Sequence, residues 1–236
     1  LAEVIKWEAE ERLPLSPANM IVDYEPLSAT PEDKEVLLAA ARREAVREKV
    51  ELLDQAGFKV TSVAPGPLAL QNILPEDYHQ TQLAVLDLGA ETVELVVFTG
   101  REFIFRRSIQ LGGQQFTVKV QEERNVSYRR AEEYKQKNTI GSEVLTEGLD
   151  KLVTEIKRSL QYHDVERVDH LLLTGGAAKL QSLANWLERK LEIETGLLNS
   201  LAAFQFDHQR LDPHQLRQKK AALGDRRWLA LRGRGE

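Results

Sequence analysis

The chain has 236 residues, 42% of them hydrophobic and 29% charged, enough for one large or two small packed cores and incompatible with global disorder. Its formal charge of −5 and pI of about 5.7 argue against bulk nucleic-acid binding, which requires a basic face. Without cysteine there is no disulfide scaffold, zinc–thiolate site or cysteine nucleophile, and the longest purely apolar run, Val36 to Ala41, is far short of a membrane span.

Leu1 opens the chain and Met20 is its one methionine. Leu1 to Arg12 has the texture of an ordered interior segment, so the expectation is a piece of a longer protein. That segment reads as an amphipathic helix with Ala2, Ile5 and Ala9 on one face, stopped by Pro14 and Pro17. Met20 to Leu27 reads as a strand, Thr30 to Asp33 as a turn, and Glu35 to Ala41 as a second, buried strand. Arg42 to Ala56 is predicted helical from Val46, Val50 and Leu53, with Gly57 as its stop. Phe58 to Val63 alternates as a half-buried strand does. Leu68 to Leu74 is a short helix, and Pro75 to Gln82 a polar connector that suits a domain boundary.

Three strands then follow in close succession, Leu83–Leu88, Val93–Thr99 and Glu102–Ile109, as an antiparallel meander. Helices are predicted over Gly113–Arg124, Ser127–Lys137 and Glu143–Asp164. Asp169–Thr174 is a buried strand, Ala177–Leu191 a helix, and Ile193–Leu198 a last short strand. A meander followed by alternating strands and helices predicts an α/β fold with a mixed sheet. From His208 to Glu236 the tail carries eight Lys/Arg against three Asp/Glu, and Asp212-Pro213 suits a helix start. Such a tail is a solvated or partner-docking helix; with Trp228 it also suits an anionic membrane surface.

Three glycine-bearing points carry the chemistry. In Asp87-Leu88-Gly89-Ala90-Glu91-Thr92 an apolar strand runs into an aspartate and a tight turn. Backbone amides of such a turn hold phosphate, the Thr92 hydroxyl adds a donor, and the aspartate holds Mg²⁺ directly or through water. An ordinary hairpin has the same pattern. Gly112-Gly113 precede a helix, whose N-terminus favours an anion; a flexible linker is the plainer explanation. Thr174-Gly175-Gly176-Ala177 closes a buried strand, where open α/β sheets bind ligands; a tight strand–helix turn is the alternative. Glu132 and Lys135 share a helix face at i,i+3, a spacing usual for a solvated ion pair. The five histidines show no zinc-protease spacing, and no Gly-x-Ser-x-Gly elbow is present.

The order of these three points is that of the nucleotide contacts in the second half of actin-like ATPases. The wording is more specific. AVLDLGAETVELVVF, RSIQLGGQQFTVKVQEE, AEEYK and LLLTGGAAKLQSLANWLERKL, with IKWEAEERLPLSPANMIVDYEPL and ELLDQAGFKVTSV before them, resemble the PilM family. Its members are cytoplasmic actin- and FtsA-like proteins of the type IV pilus assembly machine. The resemblance covers about residues 1 to 200, and Asp225-Arg226-Arg227-Trp228 departs from it.

The resemblance implies a partial actin-like (ribonuclease H-like) fold, with mixed sheets flanked by helices and a small inserted subdomain 1C. It places 1C at residues 1–57, the closing part of 1A at 58–82, 2A at 83–110 and 169–205, 2B at 111–168, and a basic tail at 206–236. It implies an ATP site with Asp87, Gly89, Ala90 and Thr92 in the second phosphate loop, and Asp87 reaching Mg²⁺ through water. Gly112 and Gly113 follow, Glu132 and Lys135 form the Glu-x-x-Lys beside the nucleoside, and Gly175, Gly176, Ala177 and Lys179 form the adenosine motif. The family site uses two phosphate loops, and no Asp-x-Gly hairpin precedes Asp87. The expectation is therefore weak or absent ATP binding by this chain, with binding by a complete protein. The implied partner is the cytoplasmic N-terminal peptide of a PilN-like inner-membrane protein, docked on subdomain 1C with Trp7, Tyr24 and Leu38 as anchors. Contact between copies is a further expectation. The protein is expected in the cytoplasm, peripheral to the inner membrane, with ATP turnover at most slow because no water-positioning residue is identifiable. The alternatives are a nucleotide-free actin-like scaffold of a pilus, type II secretion or competence system, and an FtsA-like division protein.

Overall fold

The structure, a computed structural model, describes residues 2–12, 16–26, 36–71, 74, 76–78, 80–137 and 143–199. The Thr30–Asp33 turn, the basic tail and the helix start at Asp212 lie outside the described residues. The chain divides into two compact units between Pro65 and Gly66.

The first unit holds helix α1 (Ala2–Arg12), strands β1 (Met20–Pro26) and β2 (Val36–Arg42), and helix α2 (Arg43–Gln55). Ile5 and Ala9, one helical turn apart, are buried where α1 meets the strands. β1 and β2 run antiparallel with Met20 opposite Arg42 and Tyr24 opposite Leu38. Arg43 Nη2 donates to the Met20 carbonyl oxygen at 2.9 Å, tying the start of α2 to the start of β1. Two expectations fail here. β2 is not a buried strand but half-buried to exposed along its length, because a two-stranded ribbon has few neighbours to cover it. Phe58–Val63 is not a strand: Phe58 and Val63 are exposed, and no described strand pairs with the segment. Alternation alone does not make a strand without a ladder partner.

The second unit is built on a five-stranded sheet in the order β5-β4-β3-β6-β7. Its strands are β3 (Gln82–Leu88), β4 (Val93–Thr99), β5 (Glu102–Ile109), β6 (His170–Thr174) and β7 (Glu194–Leu197). β3, β4 and β5 form the predicted antiparallel meander, while β6 joins β3 in parallel and β7 joins β6 in parallel. The central strand β3 is buried on both faces. Ala84, Leu86 and Leu88 point to one core, with Leu95, Leu171 and Leu173. Leu83 and Val85 point to the other, with Val96, Phe98 and Leu172. The period of two sorts every residue to its side.

The first core is covered by helices α4 (Gly113–Arg124), α5 (Tyr128–Lys137), α6 (Glu143–Tyr162) and α7 (Leu183–Leu191). The second is closed by Leu70 of the five-residue helix α3 (Gly66–Leu70), by Leu74 and by Tyr78. Lys119 of α4 and Lys151 of α6 both bond the Glu147 carboxylate, at 2.7 and 2.8 Å, and hold its carboxyl down to about 2. One helix boundary differs from expectation. Ala177–Leu191 is not one helix: a 3₁₀ turn over Ala177–Lys179 is followed by Ser182 at φ 64°, and α7 begins at Leu183. The break keeps Ala178, Leu180, Leu183 and Leu187 all buried, and serine competes poorly for a place inside a helix.

Candidate functional site

β3 delivers Asp87 to the edge of the second unit, opposite Glu94 of β4 and Thr174 of β6. The Asp87 side chain is buried. The chain then turns at Gly89, whose amide donates to the Asp87 and Thr92 carbonyl oxygens at 3.2 and 3.0 Å. A Cβ on Gly89 would lie 2.7 Å from the Thr92 carbonyl oxygen, so the turn closes only with glycine there.

The start of α4 clasps this turn. Gly113 N donates to the Gly89 carbonyl oxygen at 2.9 Å and Gln114 N to that of Ala90 at 2.8 Å. Gly112 is buried against the turn; a Cβ there would lie 2.3 Å from the Ala90 carbonyl oxygen. The first amides of α4, orphaned in any helix, are thus engaged by the hairpin. Gly112 serves close approach, whereas a Cβ on Gly113 would meet only ordinary contacts of 3.4 to 3.6 Å; the Gly113 and Gln114 amides face the hairpin rather than an anion.

α5 lies behind the clasp. Lys135 is 5% exposed, and its Nζ donates to the Gly113 carbonyl oxygen at 2.9 Å and to Thr117 Oγ1 at 2.8 Å. It also lies 2.7 Å from Glu132 Oε2, to which the Thr117 hydroxyl donates at 2.6 Å. All three ammonium protons are accounted for. The solvated ion pair expected from spacing is a buried network instead, because the i,i+3 spacing says nothing of Thr117. Burial pushes the Glu132 carboxyl up, but hydrogen bonds from Lys135, Thr117 and Gln136 and the Lys135 charge outweigh it and hold the pKa below the ordinary value.

The remaining wall comes from the end of β6. Gly175, at φ 89°, is buried against Asp87, where a Cβ would fall 2.4 Å from Oδ1. Gly176 faces open space, with nothing within 4 Å of a Cβ position. Ala177 and the exposed Lys179 follow in the 3₁₀ turn.

These elements enclose a cleft of about 660 Å³. Of the predicted residues, Gly89, Ala90, Gly113, Glu132, Lys135, Gly176, Ala177 and Lys179 line it. Asp87, Gly112 and Gly175 form the layer beneath, and Thr92 closes the turn through its carbonyl. Gln114, Tyr128, Gln136 and Leu180 line the cleft without having been anticipated. Tyr128 and Gln136 were within reach, since each lies four residues from Glu132 on α5. The other candidates lie elsewhere. In the first unit Tyr24 and Leu38 are half-buried cross-strand neighbours and Trp7 is 59% exposed. His163 stacks on Phe105, and His170 lies beside Tyr78 and Glu194. Among the described residues no helix is long and apolar enough to cross a membrane, and no cluster of three or more His, Asp or Glu could hold a metal ion.

A mixed sheet whose central hairpin and parallel neighbour meet a helix pair over one cleft defines an actin-like α/β protein. Solved structures share this fold: ethanolamine utilization protein EutJ from Carboxydothermus hydrogenoformans matches with a TM-score of 0.59 at 15% identity, over 81% of this chain and 61% of that one. MreB5 of Spiroplasma citri bound to AMPPNP matches at 0.52 and 13%, over 75% and 66%. The family model for type IV pilus assembly protein PilM matches residues 1–234, and the chain belongs to that family. A chain of a solved PilM–PilN type IV pilus biogenesis complex is 30% identical with a TM-score of 0.87, over 100% of this chain and 72% of that one.

Proposed function

We propose that this PilM-family chain is a nucleotide-responsive docking component of a type IV pilus machine. ATP, with Mg²⁺, occupies the cleft of the second unit, and its binding governs capture of the cytoplasmic N-terminal peptide of a PilN-like inner-membrane protein by the first unit. The observation that carries the nucleotide half is convergence. Three glycine-bearing points between Asp87 and Ala177, far apart in sequence, meet with α5 over one cleft of about 660 Å³, a volume usual for small-ligand sites.

The residues fit the group. Gly176 leaves backbone open to a ligand, Lys179 supplies an exposed cation for phosphate, and Glu132 and Gln136 offer polar atoms for a ribose. Asp87 is buried beneath Gly175 rather than in the lining, which supports contact with Mg²⁺ through water. The cation, where bound, neutralises phosphate charge. One described Asp-x-Gly hairpin faces the cleft where the family fold uses two, so the affinity of this chain is weak and turnover slow or absent.

The partner assignment rests on the match to a chain of a PilM–PilN complex. It takes residues 1–57 as subdomain 1C, 58–82 as the closing part of 1A, 83–110 and 169–205 as 2A, 111–168 as 2B, and 206–236 as a basic tail. The protein then works in the cytoplasm at the inner-membrane face. A nucleotide-free scaffold is favoured by one observation: Gly113 N and Gln114 N are engaged by the hairpin rather than aimed at a ligand.

The test is titration of Mg–ATP into the chain, followed by ligand-observed saturation-transfer NMR, which registers millimolar binding. Binding that Asp87→Ala reduces, with tighter capture of a PilN-derived peptide when nucleotide is present, supports the proposal. Peptide capture with no nucleotide signal establishes the scaffold in its place.

A further inference from the structure

We propose that the outer edge of β5 is a second recognition site, separate from the nucleotide cleft, which takes an extended acidic segment of a partner protein as an added strand. β5 ends the five-stranded sheet, and among the described residues β4 is its one strand partner. Alternate N–H and C=O groups along its outer side therefore face away from the ladder, a template for another chain.

The first half of that edge is blunted. Val97 pairs with Phe105 and Phe98 with Phe103, so Ile104 is an extra, bulged residue. From Phe105 to Ile109 the pairing with β4 is regular, and this stretch runs beside α6. Arg107, Ser108 and Ile109 on one side, with Asp150, Lys151 and Thr154 of α6 on the other, line a cleft of about 730 Å³. An edge strand with a helix alongside it holds an extended segment by main-chain hydrogen bonds, and the helix wall sorts its side chains.

This wall favours carboxylates. Glu155 is bonded by Arg107 at 3.0 Å and by Arg158 at 3.3 Å, Glu147 by Lys119 and Lys151 at 2.7 and 2.8 Å, and Asp150 by Lys190 at 2.7 Å. Three carboxylates thus meet five cations, an excess of positive charge in a chain whose formal charge is −5. Arg107, Lys151 and Arg158 stay exposed, with donors left for a ligand. Arg107 reaches toward α6 from the strand edge. Its neighbours on that face, Phe105 and Ile109, are buried in the core, so Arg107 is the charged group that a facing strand meets. A carboxylate directly opposite it forms a cross-strand ion pair.

A second copy of the chain suits the edge poorly. Full antiparallel overlap of Phe105–Ile109 with its copy sets Arg107 opposite Arg107, and like charges directly opposed destabilise a strand pair.

The experiment titrates two synthetic peptides of about eight residues, the length of an ordinary strand, into the isotope-labelled chain. One alternates Glu and Val, the other Lys and Val. The acidic peptide shifts the amide resonances of residues 105–111 and of α6, and binds about 5-fold or more tightly than the basic one. N-methylating either its Glu or its Val residues weakens it far more in one case than in the other, because a strand edge uses alternate amides. Arg107→Gln combined with Arg158→Gln erases the preference for the acidic peptide and leaves the melting temperature within a few degrees. Equal affinity for the two peptides, no binding of either, or shifts confined to the first unit overturns the inference, and that comparison needs no variant to fold. So does a parent chain that dimerises in sedimentation with the 105–109 amides protected before peptide is added, which assigns the edge to a second copy. Each of these outcomes leaves the nucleotide assignment standing.

Discussion

A Cβ on Gly175 would lie 2.4 Å from Asp87 Oδ1, while one on its neighbour Gly176 would meet nothing within 4 Å. The two glycines therefore do different work. Gly175 carries φ 89° and lets β6 end against the Asp87 carboxylate. Gly175→Ala is expected to cost about 2 kcal/mol or more, from an unfavourable φ and a clash with backbone and carboxylate, read as a lowered urea midpoint. Gly176→Val fills open space, so its stability change stays within about 0.5 kcal/mol. Its effect falls on Mg–ATP, which loses affinity because the new side chain projects into the cleft. A Gly176→Val chain that binds ATP as the parent does removes Gly176 from the site.

Lys135 joins α5 to α4 through the Gly113 carbonyl and the Thr117 hydroxyl. Lys135→Met removes the cation and leaves Glu132 charged beside Thr117. Breaking a buried pair typically costs about 3–5 kcal/mol; with a third of the Glu132 side chain exposed, the expected loss is about 2 kcal/mol. Adding Glu132→Gln to Lys135→Met recovers part of it. Equal stability of the single and double variants in urea unfolding would show that the unpaired Glu132 charge carries no penalty there.

Two carboxyls are expected to make the second unit acid-sensitive, the exposed Glu147 less than Glu132 because water screens its ion pairs. Glu132 titrates below the ordinary value, and Glu147, between Lys119 and Lys151, is held at about 2. In the unfolded chain both return to the ordinary range near 4.5. Their stabilisation is thus full above that range and drains away as pH falls from about 5 toward 2. Unfolding free energy measured across that window should fall less steeply in Glu132→Gln and in Glu147→Gln than in the parent. A parent-like slope in both would place the acid sensitivity elsewhere.

Trp7 tests the partner face. It is 59% exposed, whereas Ile5 and Ala9 on the same helix are buried. Trp7→Ala should leave the melting temperature within a few degrees while weakening capture of a PilN-derived peptide. Hot-spot tryptophans commonly cost about 2 kcal/mol or more on truncation, so a peptide affinity unchanged within two-fold moves the docking surface away from α1.

The sheet was legible because its strands announce themselves. Leu83–Leu88 and Val93–Thr99 are apolar runs separated by a glycine turn, and α4 begins at the predicted Gly113. The failures came where local pattern lacks its tertiary partner. Phe58–Val63 alternates as strands do, yet nothing described pairs with it. Ala177–Leu191 has helical periodicity, yet Ser182 at φ 64° breaks it so that Leu180 and Leu183 can both be buried. In the site, the glycines were visible by their type, but the burial of Lys135 was not, because Thr117 is eighteen residues distant. Tyr128 is within reach of the sequence only through its spacing of four from Glu132; an exposed tyrosine gives no further signal until its helix is set against a cleft.

The two sides of the cleft have different histories in the folding chain. The hairpin β3–β4 and the α4 clasp on it join residues close in sequence, such as Gly89 and Gly113. The β6 wall reaches its place only when Leu83 finds His170 and the Asp169 side chain receives the Gln82 amide. Long loop closures of this kind are slow to form. A ligand that spans both walls therefore staples the locally formed half of the cleft to the half that depends on long-range pairing, and its presence is readable as slowed exchange at the Gly175–Gly176 turn.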